Sequence, residues 1–452
     1  MQVPVILVTP ATSHFRDASA AAATNMAFGL DVAQSPSFAG VTLDASFAPV
    51  PLGSAEPGGV AMDAAAPETS EFFAVRGHVE AEHPGQVPTQ AGDAQVFSDP
   101  QIREMAGPTC GGTPPVGNAA NVATLLKVAE LKKRHLTGAK VAVAIVDTGI
   151  NIQHVTTKIG HAPHFDGAAS WSPPGTPPPA PGAWPVAHGS MCAFDVLIAA
   201  PEATLVDFPV LNAHFPGGGS TMSGTLSAAI AAYGFMLKSW ASGNLRKYQA
   251  LVASNSWGIF HPSWDFPAGH PGRYCDNPHH PFNVQIGTVT RAGIDVIFAA
   301  GNCGAPCADG RCQGRTVGSI MGASAMEEVL TLAGCDTHKA RVGYSSQGPS
   351  IAGMFQHKPD VTSYTHFLGS EAFGAGSPDS GTSAACPVAA GCVAALRSSP
   401  KIPPRTTCPP VQLFKVLRNT ADPKPGPAHA WNGDYGFGIL DPIAAAAALH
   451  IP

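Results

Sequence analysis

The chain has 452 residues, with 25 Lys and Arg against 31 Asp and Glu, a formal net charge of −6 that excludes a basic nucleic-acid-binding surface. Charged residues are 12% of the chain where globular proteins average about 25%, while Gly and Pro (49 and 44) make up about a fifth of it. With 44% apolar residues, general disorder is excluded, and the length suits one large domain beside a smaller one, or two comparable ones.

No Lys or Arg precedes Arg16, and the apolar run from Val3 to Val8 is broken by Pro4, so no secretory signal is readable. No stretch reaches the roughly 18 apolar residues of a spanning helix, so no membrane partner is expected. A cytoplasmic protein, or one released without a readable signal, is the expectation, with its ten cysteines as thiols of a reducing compartment.

In chain order, strands are predicted at Val3–Thr9, Val41–Phe47 and Phe72–Val79, with a helix near Ala18–Phe28, a small α+β unit over residues 1–105. Between Ser98 and Asn118 the composition turns to Pro, Gly and Cys, the signature of a linker or an exposed processing segment, so the domain boundary is placed there. Asn121 is the expected cap of a helix in which Val122, Leu125, Leu126 and Ala129 share a face, ending at Thr137-Gly138. The run Lys140–Val146 suits a strand buried on both faces of a parallel sheet. Further runs at Thr204–Phe208, Leu251–Ser254, Ile294–Ala299 and Val329–Ala333 alternate with helical patterns at Thr221–Trp240 and Asn283–Ala292. This predicts residues 106–452 as an α/β domain with a mostly parallel central sheet flanked by helices. Seven prolines between Trp171 and Pro185 mark a surface excursion.

Chemistry gathers where parallel strands end. The strand to Val146 ends in Asp147-Thr148-Gly149, His188 sits beside Gly189 at a predicted helix start, the strand to Ala299 leads to Gly301-Asn302, and Ser383 lies in SGTSAACPVAAG before a small-residue helix. An alcohol to attack, an imidazole to take its proton and a carboxylate to hold the imidazole are the requirements of acyl transfer. The Asn302 amide adds a donor for the oxyanion, alongside the Ser383 backbone N–H.

Taken together, VAIVDTGI, HGS, AAGN and SGTSAACPVAAG, in that order, resemble the aspartate, histidine, oxyanion and nucleophile motifs of the subtilase family of serine endopeptidases. APEATLV, SNSWG, YSSQGP, KPDV and YGFGILD resemble further landmarks, and the likeness spans roughly residues 120–450. The resemblance implies peptide-bond hydrolysis with Asp147 orienting, His188 as base then acid, Ser383 as nucleophile and Asn302 as oxyanion donor. It also implies that Ser256, Trp257 and Gly258 line the substrate strand, with Ala299, Ala300 and Gly301 opposite them at the first specificity pocket. About a dozen residues separate His188 from Ala200-Pro201, too few for the calcium loop of many relatives, so no metal or cofactor is expected.

The partner implied is a protein or peptide substrate. An inhibitory partner, or the N-terminal unit itself, would restrain the enzyme. More weakly, that unit resembles the family's propeptide, whose end, Gln95–Pro108, would lie in the cleft and be cut there; a permanent accessory domain is the other reading. Sedolisin-like carboxyl peptidases share a similar serine motif but use no histidine, and a retired scaffold acting as a binding module is the rival outside catalysis. The spacing Cys303-x3-Cys307-x4-Cys312 leaves a disulfide, free thiols and a metal site open.

Overall fold

A computed structural model describes residues 1–23, 30–52, 70–105, 113–173, 179–212, 223–423 and 426–452. The N-terminal part is built on β1 (Gln2–Pro10), followed by helix α1 (Ser13–Ala23), β2 (Val41–Leu43), β3 (Val50–Leu52), β4 (Phe72–Glu80), β5 (Gln90–Ala91) and β6 (Ala94–Ser98). These strands form one antiparallel sheet in the order β2-β4-β1-β6-β5, with β3 also on β4. Val3, Val5 and Leu7 alternate inward along β1 and meet Phe15 of α1 together with Phe73, Val75 and Val96. The strand expected to reach Phe47 stops at Leu43, because Asp44 Oδ1 accepts from Ser46 N (2.8 Å) and Oγ (2.6 Å) and closes an Asx turn. The expected helix as far as Phe28 runs partly outside the described residues.

The segment expected to be a linker or an exposed processing segment begins as structure. Gln101–Glu104 is strand β7, Ile102 is fully buried, and Asp99 accepts from Ser227 N (2.8 Å) and Oγ (2.6 Å) at the start of a long helix. After it, α2 (Ala119–Leu125) and α3 (Val128–Lys133) replace the single helix expected. Asn118, not Asn121, is the N-cap: its side chain accepts from Asn121 N while Asn121 answers to Asn118 N, a capping box. Lys127, in the left-handed region at φ 55°, divides the two helices.

The larger sheet contains β8 (Val141–Val146), β9 (Thr204–Phe208), β11 (Ala250–Asn255), β13 (Ile294–Ala299), β14 (Leu330–Cys335) and β15 (Val361–Tyr364). All pairs are parallel, in the order β15-β14-β13-β11-β8-β9. Two short strands, β10 (Ser223–Thr225) and β12 (Trp257–Gly258), stand apart from it and pair with β7. Val141, Val143 and Ile145 point into one apolar cluster and Ala142, Ala144 and Val146 into the other, which is why β8 reads as a continuous apolar run. The chain winds outward from β8 in both directions, so the crevice at the strands' C-terminal ends opens beside β8 and β11. β15, with Thr, Ser and Tyr in its four positions, escaped the hydrophobic pattern.

Helices α4 (Ile152–Ile159), α5 (His188–Ala199), α6 (Leu226–Ser242), α7 (Pro281–Arg291), α8 (Thr382–Arg397), α9 (Pro410–Thr420) and α10 (Pro442–Ala448) complete the layers; the pattern read for α6 and α7 starts at other residues, and the expected start at Thr221 lies outside the described residues. Among the described residues no helix is long and apolar enough to cross a membrane. α5 and α8 lie against each other so closely that a Cβ on Gly391 would stand 2.3 Å from Val196 O, a contact only glycine allows. Cys303 and Cys312 are joined by a disulfide, one of the three readings their spacing left open and a departure from the general expectation of thiols; Cys192, Cys275, Cys335, Cys386, Cys392 and Cys408 are free and buried.

Candidate active site

Asp147 follows β8 and is tied down by its backbone N–H to Phe208 O (3.0 Å). Its carboxylate meets His188 Nδ1 through Oδ1 (2.8 Å) and Oδ2 (2.9 Å), and both side chains are buried. His188 is the first residue of α5, and the Thr148 hydroxyl beside Asp147 accepts from Gly189 N (2.8 Å), so one strand tip anchors both the carboxylate and the helix start. Burial alone pulls the His188 pKa down. The Asp147 carboxylate and its hydrogen bond outweigh that, Glu104 adds in the same direction against an opposing Arg311, and the net shift is upward from 6.5. Cys192 Sγ lies 3.7 Å from Asp147 Oδ2, and burial pushes its pKa far up, so it stands beside the pair as a neutral thiol.

Ser383 is the second residue of α8. Pro387 has no N–H to give to the Ser383 carbonyl four residues back, and that carbonyl instead accepts from Ser256 Oγ (3.0 Å) and Cys192 Sγ (3.8 Å). The tip of β11 and helix α5 thus hold the start of α8. The Ser383 hydroxyl donates to Ser256 O (3.2 Å), and His188 Nε2 is without a hydrogen-bond partner among the described residues. The base–nucleophile hydrogen bond is therefore not made in this state.

Asn302 is fully buried after β13. Its Oδ1 accepts from Thr382 N (2.9 Å) and Oγ1 (3.1 Å), which turns Nδ2 the other way, and Nδ2 donates to the carbonyl oxygen of Met105. Thr382, which the sequence reading passed over, sets the direction of that amide. Its position directly before Ser383 is the signal that could have found it.

The occupant of the crevice is the chain's own β7. Glu104 pairs with Trp257 and Arg103 with Gly258 on one side, while Gln101, Ile102 and Arg103 pair with Thr225, Gly224 and Ser223 on the other, giving a three-stranded antiparallel ladder. Met105 continues it, donating from its N–H to Ser256 O (2.8 Å). Its side chain is buried, and a Cβ on Gly258 would lie 2.3 Å from Met105 Cε. The same test on Gly301 gives 3.8 Å, an ordinary contact, so it is Gly258 that leaves the room the thioether fills. Ser256 and Trp257 contribute main chain to the ladder. The Trp257 indole is a core group, 5.8 Å from the Phe282 ring and 5.6 Å from that of Phe298. Ala299 shares an apolar cluster with Met105, whereas Ala300 belongs to the cluster on the other side of the sheet.

A carboxylate–imidazole pair, a serine at a helix start and an amide aimed at a main-chain carbonyl are the parts that acyl transfer at a peptide bond uses. The model of the subtilase family matches residues 138–438. Among characterised proteins, subtilisin DY of Bacillus licheniformis is 26% identical over 329 residues, covering 71% of this chain and 96% of its own length.

Proposed function

The chain belongs to the subtilase family, and from that membership we propose that it is a serine endopeptidase acting through an acyl-enzyme on Ser383, whose first substrate is its own bond from Met105 to Ala106. In this reading residues 106–452 are the catalytic domain and residues 1–105 a propeptide that folds beside it, fills the cleft and leaves after the cut. The observation that carries it is the pair of hydrogen bonds on Met105: the Asn302 amide on its carbonyl and Ser256 O on its N–H.

Ser383 Oγ would attack the Met105 carbonyl carbon while His188 Nε2 takes the hydroxyl proton. Asp147 holds the imidazole with Nδ1 protonated and stabilises the cation that forms. Negative charge developing on the Met105 oxygen falls on Asn302 Nδ2 and the Ser383 backbone N–H. Collapse breaks the bond to Ala106, whose amine leaves with the proton from His188. A water molecule, deprotonated by the same histidine, then frees the Met105 carboxylate and restores Ser383. The Ser383 hydroxyl resting on Ser256 O is the one observation that favours a retired scaffold.

Reaction with a fluorophosphonate separates the two readings. The wild type is expected to be labelled on Ser383, and Asn302→Ala to be labelled about 10²- to 10³-fold more slowly, the scale of losing one oxyanion donor. Labelling that survives Ser383→Ala would discredit the assignment.

The acid limb of self-cleavage follows from His188, which works as a base only when neutral. Because its pKa is raised from 6.5 while β7 is in place, self-cleavage is expected to fall as pH drops through a value above 6.5. Glu104→Gln removes one of the raising charges and should move the limb downward. Following the shortened chain by mass from about pH 5 to 9 tests this; a limb at or below the ordinary histidine value, unmoved in Glu104→Gln, would count against it.

A further inference from the structure

We propose that Arg311 makes this site selective for an acidic side chain at the residue immediately before the one whose carbonyl is attacked, an inference that rests on the serine-peptidase reading. In the occupied cleft that residue is Glu104. It is 6% exposed, with Oε1 2.8 Å from Arg311 Nη1, which also donates to the Glu104 carbonyl (3.1 Å).

The guanidinium is held from its other edge by groups that do not belong to β7. Asp309 accepts from Nε (3.0 Å) and Nη2 (2.8 Å), and the Phe260 ring lies 3.9 Å beneath the guanidinium carbon. Asp309 also caps the short turn Gly310–Cys312 that carries Arg311, accepting from Arg311 N (2.8 Å). Cys312 is bonded to Cys303, the residue after Asn302. The oxyanion donor and the guanidinium therefore sit on one tied loop and keep their spacing when the occupant changes. With Asp309 taking Nε and Nη2, the Nη1 edge faces the strand. A carboxylate there completes a charge-assisted hydrogen bond in a largely dehydrated place, where it counts for more than on an open surface. An alanine leaves that donor with the main-chain carbonyl, and a lysine sets two cations against each other.

The test uses full-length protein allowed to process itself, and Ile-Arg-Xaa-Met coumarin amides in which Xaa is Glu, Ala or Lys. In the wild type kcat/KM is expected to favour Glu over Ala by about tenfold and over Lys by about a hundredfold. Arg311→Ala should bring the Glu-to-Ala ratio to about one, and Arg311→Glu should favour Lys over Glu. Each ratio is read within one enzyme, so partial loss of folded protein cancels, and where Arg311→Glu does not fold, Arg311→Gln, which removes the charge, should give the Glu-to-Ala ratio of about one expected of Arg311→Ala. Equal rates on all three peptides, or a Glu preference that persists in Arg311→Ala, overturn the inference and leave the peptidase reading standing. A wild type that cuts none of the peptides overturns both.

Discussion

Ser383→Ala is expected to keep all 452 residues, while the wild type is recovered cut after Met105. The cleft already holds what would be the bond's carbonyl side, with Met105 O on the Asn302 amide and Met105 N–H on Ser256 O, so substrate placement does not depend on the hydroxyl. Removing the hydroxyl takes away the atom that attacks while leaving β7 seated. Because triad members act as a unit, turnover on added peptides should drop by about 10⁶-fold, with residual catalysis from the oxyanion donors. Intact mass of the two proteins purified side by side reads both expectations. Processing of the mutant at the wild-type rate would remove Ser383 from the mechanism, and a wild-type end elsewhere than Met105 would remove β7 from the role of first substrate.

Asp295→Ala, made in the Ser383→Ala background so that the chain stays whole, should lower stability by about 3–5 kcal/mol. Arg397, the last residue of α8, donates from Nε (2.7 Å) and Nη2 (2.6 Å) to the Asp295 carboxylate on β13, and both side chains are fully buried. Nη1 is taken by Ile402 O (2.8 Å) and Cys408 O (2.7 Å), so the guanidinium cannot turn out to water when its partner goes. The cost is that of an uncompensated buried cation. Replacing both partners, Asp295→Leu with Arg397→Met, should recover most of it, since a buried ion pair returns little beyond its own desolvation. Urea unfolding measures the three proteins. A loss under about 1 kcal/mol in the single mutant would show that the pair does not fasten the nucleophile helix to the sheet.

Much of the α/β layer was legible because its signals are local. An unbroken apolar run such as Val141–Val146 implies burial on both faces, and alternate residues do enter opposite clusters. The departures occurred where one side chain outweighed the pattern. Lys127 divides a helix whose apolar face is continuous, Asn118 takes the cap from Asn121, and β15 is too polar to announce itself. The segment after Ser98 misled because Pro and Gly composition describes its second half, while Ile102 and Met105 are buried by strands more than a hundred residues away.

The amino-acid order alone was enough to determine the family and to single out Asp147, His188, Ser383 and Asn302, since each lies in a short motif whose residue types suit one task. The register in which β7 pairs in the crevice, which way the Asn302 amide points, and which cation meets Glu104 were decided only by tertiary structure. Glu104 and Arg311 are 207 positions apart and neither lies in a catalytic motif; their meeting depends on a sheet edge, a tied loop and a ladder closing at once, and contacts of that range leave no local trace in a sequence.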